Sequence, residues 1–172
     1  MRFQAQESTE LGQCESRPAD RNPIEAAAWV AEIERQMASE PRDYPALLEA
    51  CENVRSRYAG TRAALRTARL AAELRGEWEK RGADALASAR RDAARLAGDD
   101  RHGAAIEALR EVERRYAGTE AARAAATAAE DAESGLPARV HALEMEAQRL
   151  EDAGDLEGAM RCWLRLGKFG DG

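Results

Sequence analysis

Two histidines, three cysteines and a surface of arginines and carboxylates are the groups from which this 172-residue chain could draw any chemistry. A zinc site needs three or four ligands brought together, usually announced by CxxC, HExxH or a similar close spacing. The cysteines Cys14, Cys51 and Cys162 form no such pair, and His102 and His141 stand far apart with no HExxH. His102, beside Asp99 and Asp100, reads as a residue at a helix start, and His141 as a member of an amphipathic helix. The stretch "GDDRHG" lacks the lysine and hydroxyl that a phosphate-cradling loop requires, and no GxSxG is present. Carboxylates cluster in "EDAESG" and "RLEDAGD", where helix capping and solubility explain them without acid–base catalysis. The expectation is a protein with no catalytic residue, metal or cofactor, and not an enzyme.

Binding chemistry is better represented. Arg62, Arg66 and Arg69 recur at spacings of 0, 4 and 7, which puts three guanidiniums on one stripe of a helix, with Arg55 and Arg57 just before them. Such a stripe suits an acidic protein segment. Of the tryptophans Trp29, Trp78 and Trp163, each can fill a core or anchor an interface; Trp78 joins the three arginines as the candidate partner-binding set. The net charge of −6 argues against nucleic acid, whose phosphates call for a basic surface. That charge is unevenly spread: residues 52–81 hold eight basic and four acidic side chains, residues 120–157 three basic and ten acidic. A basic half and an acidic half also permit a homo-oligomer in which copies meet head to tail.

The elements that must position these groups are helical. Of the 44% hydrophobic residues, 39 are Ala and 15 Leu against only seven Val plus Ile, a mixture that favours helix over strand. No apolar run approaches a membrane span. The N-terminal stretch through "LGQC" lacks the apolar centre of a secretion signal, and Gln13 stands where a lipoprotein cleavage site wants a small residue. Residues 1–22 are therefore expected to be a disordered polar tail, 23–169 a helical repeat domain and 170–172 a frayed end. The chain as written reads as cytoplasmic, and as periplasmic if it is a fragment of a longer envelope protein.

The repeat is explicit. Placing Leu47–Arg75 over Ala105–Glu133 gives twelve identities in 29 positions, among them "RYAGT" at 57–61 and 115–119. A third, weaker copy maps Ala105, Ile106, Leu109 and Val112 onto Ala159, Met160, Trp163 and Leu166. Apolar spacings of 0, 4, 7, 11 (Leu47, Cys51, Val54, Tyr58) and 0, 3, 7, 10 (Leu86, Ala89, Ala93, Leu96) identify amphipathic helices. About eight helices are predicted, near 24–39, 44–58, 61–77, 83–97, 101–116, 119–134, 138–152 and 155–167. Asn22, Asp43, Asp100 and Asp155 are the expected caps, with Glu25 reaching back in a capping box, and Gly98, Gly154 and "SGLP" (134–137) the expected ends. Gly76 and Gly82 either separate two helices or bend one long one.

Each "YAGT" forms a corner. Gly60 and Gly118 can take the left-handed conformation just past a helix end, and Thr61 and Thr119 can cap the next helix at once, while Tyr58 and Tyr116 fill the inside of the bend. With the run "AGDLEGAMRCW" (153–163), these corners resemble the tetratricopeptide repeat, especially the YPGT and YPGS variety of bacterial cell-envelope proteins. The resemblance covers roughly residues 24–169. It differs in having Ala59 and Ala117 in place of proline, and in a spacing of 54–58 residues that suggests three helices per unit. It implies an all-α, right-handed array of antiparallel helices, an α-solenoid, whose groove binds another protein or a peptide.

Overall fold

The computed structural model describes residues 22–170; the expected polar tail, except Asn22, and Cys14 lie outside them. The described residues form helices α1 (Pro23–Met37), α2 (Tyr44–Arg57), α3 (Arg62–Gly98), α4 (His102–Arg115), α5 (Glu120–Asp152) and α6 (Leu156–Gly167), closed by a 3-10 turn at Lys168–Gly170. No strand occurs among them. They fall into two compact units, one reaching to Ala71 and the other beginning at Ala72.

In the first unit α1 packs on α2. Asn22 caps α1 through the amides of Ile24 and Glu25, and Asp43 caps α2 through that of Ala46. Glu25 does not close a capping box with Asn22; its carboxylate turns to Arg57 at 2.9 Å. The interior is built from Ile33, Tyr44, Leu47, Cys51, Val54, Tyr58, Leu70 and small Ala26, all nearly inaccessible. Thr67 is buried among them, its hydroxyl donating to the carbonyl oxygens of Ala63 and Ala64 so that its own oxygen is not stranded.

In the second unit α4 packs on α5, and α5 on α6. Leu86 and Ala89 of α3, Ile106, Leu109, Val112 and Tyr116 from α4 and its end, and Ala121, Ala122, Ala125 and Ala129 of α5 make one core cluster. The alanines of α5 present almost no side-chain bulk, so the larger residues of α4 supply the packing volume.

The eight predicted segments merge into six helices, and of the two readings left open at Gly76 and Gly82 the structure has the single helix. Residues 61–77 and 83–97 run as the single helix α3, and 119–134 and 138–152 as the single helix α5, giving six helices where eight were expected. A glycine inside a helix costs only about 1 kcal/mol against alanine, and α3 holds Leu70, Leu74 and Leu86 buried on either side of Gly76 and Gly82. "SGLP" does not end a helix either: Pro137 sits inside α5. A proline there forfeits a backbone hydrogen bond, but Leu136 packs on the core cluster before it and Ala147 is fully buried after it, so tertiary contacts carry the helix through.

Gly82 has a reason to be glycine that Gly76 lacks. A Cβ on Gly82 would lie 3.1 Å from Ala121 Cβ and 3.3 Å from Thr119 Oγ1, whereas one on Gly76 would meet nothing within 4 Å. The second corner rests directly against α3 at Gly82. Thermal or urea unfolding should therefore give opposite signs for the two: Gly76→Ala stabilises by about 0.5–1 kcal/mol, while Gly82→Leu destabilises by about 1–3 kcal/mol through overpacking. Equal effects at both positions would contradict this contact.

Candidate docking grooves beside the two corners

The two corners are built alike. The Tyr58 amide donates to Val54 O at 3.0 Å, and the Thr61 amide and hydroxyl both donate to Tyr58 O, at 3.1 and 2.6 Å. At the second corner the same bonds run from Tyr116 to Val112 and from Thr119 to Tyr116 O, at 3.0, 3.1 and 2.7 Å. Thr61 Oγ1 then accepts from the Ala64 amide at 3.3 Å and Thr119 Oγ1 from the Ala122 amide at 3.1 Å, so each threonine joins one helix end to the next helix start. Gly60 and Gly118 have φ of +81° and +89°.

Beside each corner lies a groove. In the first unit it measures about 450 Å³ and has an apolar floor from α1, including Ala26, Ala27, Val30 and Ala31, and a wall from the start of α3, Arg62, Ala63 and Arg66. Arg66 crosses to Glu34 of α1 at 2.8 Å. In the second unit the groove measures about 560 Å³ and lies between α3 and α5, with Glu79, Lys80 and Arg90 on one side and Glu120 and Ala124 on the other. There Glu79 Oε2 accepts from the Glu120 amide at 3.1 Å, a carboxylate placed at a helix N-terminus. The first groove therefore carries two guanidiniums against one carboxylate, whereas the second is balanced.

Of the candidate partner-binding residues, Arg62 and Arg66 line the first groove; Arg69 is exposed farther along the same stripe. Arg62 and Arg69 make no ion pair with any described residue. Trp78 lies elsewhere: its ring stacks on Tyr116 with centroids 4.6 Å apart, packed against the core cluster of the second unit. Trp29 and Trp163 are the open ones, at 47% and 44% exposure. Trp29 borders a separate cavity of about 470 Å³ with Asn53, Arg57 and Tyr58. The Tyr58 hydroxyl is buried with no hydrogen-bond partner among the described residues, and burial, then the Glu25 carboxylate, pushes its phenol above the usual range. Reading the sequence missed Glu34 and the α1 alanines as groove residues, although Ala27, Ala31 and Glu34 follow the helical spacing that would have put them on one face.

The expected cap at Asp100 is not one. Arg101 precedes α4 with no side-chain cap, and Asp100, in a left-handed conformation at φ 62°, pairs with Arg165 of α6 at 2.8 and 2.9 Å. That guanidinium holds the Asp100 carboxyl below the usual carboxylate range. His102 is buried, not a surface residue; its ring lies 4.4 Å from that of Phe169 and borders a small cavity with Asp131 and Arg139. Burial lowers its pKa, Arg139 lowers it further, and Asp100 opposes both.

A histidine with a depressed folded pKa contributes stability above its unfolded pKa of about 6.5 that is lost as the pH falls through that value towards the folded one. Urea unfolding between about pH 7.5 and 5.5 should show that loss in the wild type and a smaller one in His102→Gln. The same loss in both would remove His102 as the cause.

Among the described residues no three His, Cys, Asp or Glu side chains are placed to hold a metal ion, and no helix is long and apolar enough to cross a membrane. Fold and grooves together define an all-helical protein with two corner-flanking clefts. Comparison with protein-family models, with curated proteins and with solved structures finds no match to this chain.

Proposed function

We propose that this chain is a protein–protein interaction scaffold without catalytic activity, a tetratricopeptide-like array of antiparallel helices whose groove between α1 and α3 takes an acidic helical segment of a partner protein. The observation that carries this reading is the recurrence of a groove beside each of the two Tyr-Ala-Gly-Thr corners, the first with an apolar alanine floor and an arginine wall. Alanines let a partner helix approach closely, and Arg62 with Arg66 and Arg69 along the same stripe select carboxylates and reject basic segments.

The test uses a synthetic helical peptide with Leu or Trp at spacings of 0, 4 and 7 and glutamates between them. The wild type should bind it with an affinity that falls as salt is raised. The triple variant Arg62→Ala, Arg66→Ala, Arg69→Ala should bind about tenfold more weakly, which is about 1.4 kcal/mol, with unchanged helical circular dichroism. Equal binding by both proteins would dispose of the arginine-walled groove.

A further inference from the structure

The last helix leaves a strongly apolar face uncovered. Leu156, Met160, Trp163 and Leu164 recur at spacings of 0, 4, 7 and 8 along α6 and are 71%, 56%, 44% and 62% exposed. The opposite face of α6, with Ala159 and Cys162, is buried and α6 packs on α5, so the exposed stripe is additional to the packing that holds the helix in place.

The repeat shows what covers such a face. Met160 and Trp163 occupy the positions of Ile106 and Leu109 in α4, which are 9% and 4% exposed. Those two are buried in a cluster with Ala121, Ala122 and Ala125 of α5, a triplet at spacings of 0, 1 and 4. The same spacing of three alanines recurs on α3, on α4 and farther along α5, but among the described residues only on α1, as Ala27, Ala28 and Ala31, are all three exposed. Each half of the α4–α5 interface thus recurs without its complement, one half on α6 and the other on α1.

We infer that α6 of one copy seats on α1 of a second copy, with Met160 and Trp163 against Ala27, Ala28 and Ala31, so that the chain associates head to tail. This rests on the reading that the α1–α3 groove is a docking site, and it names that site's occupant. Charge agrees with the seating. Asp152, Asp155 and Glu157 surround the start of the α6 stripe, and Arg62 and Arg66 wall the groove beside α1. The acidic region at 120–157 and the basic region at 52–81 would meet across copies, attracting at a distance and setting the direction of docking. The two surfaces are different patches of one chain, so the contact is heterologous and adds copies in succession.

Sedimentation velocity over a range of concentrations tests this with Met160→Glu and Ala27→Arg, both at exposed positions, whose folding is checked by circular dichroism. The wild type should grow in mass with concentration and shrink as salt is raised. Either variant alone should weaken self-association by about tenfold or more. Mixing the two variants should restore a single contact and stop at a one-to-one pair, because Met160→Glu keeps an intact α1 and Ala27→Arg an intact α6. A wild type that is monomeric at every concentration overturns the inference, as does an association sensitive to Met160→Glu but not to Ala27→Arg. If the acidic peptide binds while the wild type stays monomeric, the groove reading stands and only the second copy is lost; if neither occurs, both fall.

Discussion

Replacing Tyr116 with alanine is expected to cost about 3–5 kcal/mol of stability, the range for deleting a buried aromatic ring. Tyr116 is 9% exposed, belongs to the core cluster of the second unit and stacks on Trp78, and a Cβ on Gly82 would already lie 3.5 Å from its ring. Its removal opens a void bounded by three helices that cannot collapse, because α3 already touches the corner at Gly82. Hydrogen exchange should show the loss in α4 and the first half of α5. Tyr116→Phe keeps the ring and should retain most of the stability. A loss below about 1 kcal/mol in Tyr116→Ala would mean that the ring is not what fills the bend.

The second large effect belongs to Gly118 and Gly60. At φ of +89° and +81° a β-branched residue is strained by its own backbone, and nothing lies within 4 Å of a Cβ built at either position, so the cost is conformational rather than steric crowding by neighbours. Gly118→Val and Gly60→Val should each lose about 3 kcal/mol, at the upper end for residues forced into this region. Asn is tolerated there better than other residues, which predicts losses in the order Asn, Ala, Val at both corners. Thr61→Ala, which removes a single cap, should cost only about 1 kcal/mol. Thermal unfolding of the series is the measurement. A valine variant as stable as the parent would show that the corners do not need a left-handed residue.

The corners were legible because their physics is local. Glycine just beyond a helix end and threonine before the next solve a problem set by adjacent residues, and a tyrosine two positions before the glycine is identifiable by helical spacing alone. Asn22, Asp43 and Asp155 were readable as caps for the same reason, each bonding an amide two or three residues on. Asp100 obeyed the same local rule and was claimed instead by Arg165, 65 residues away, an interaction that no short window contains. Trp78 likewise offered the composition of an interface anchor and was taken by Tyr116.

Composition and periodicity alone determined that this chain is all helix, where its helices change direction at the two repeated corners, and that arginines gather on one stripe after the first. Tertiary structure decided the rest: that α3 and α5 run unbroken through Gly76, Gly82 and Pro137, which side of α1 becomes a groove floor, and that the α6 stripe remains open. Breaker residues act over one turn and cost about 1–3 kcal/mol each, so a helix continues wherever packing on both sides of the breaker outweighs that cost. Burial depends on which helix face finds a neighbour: Met160 and Ile106 hold matching sequence positions, yet Met160 is 56% exposed and Ile106 9%.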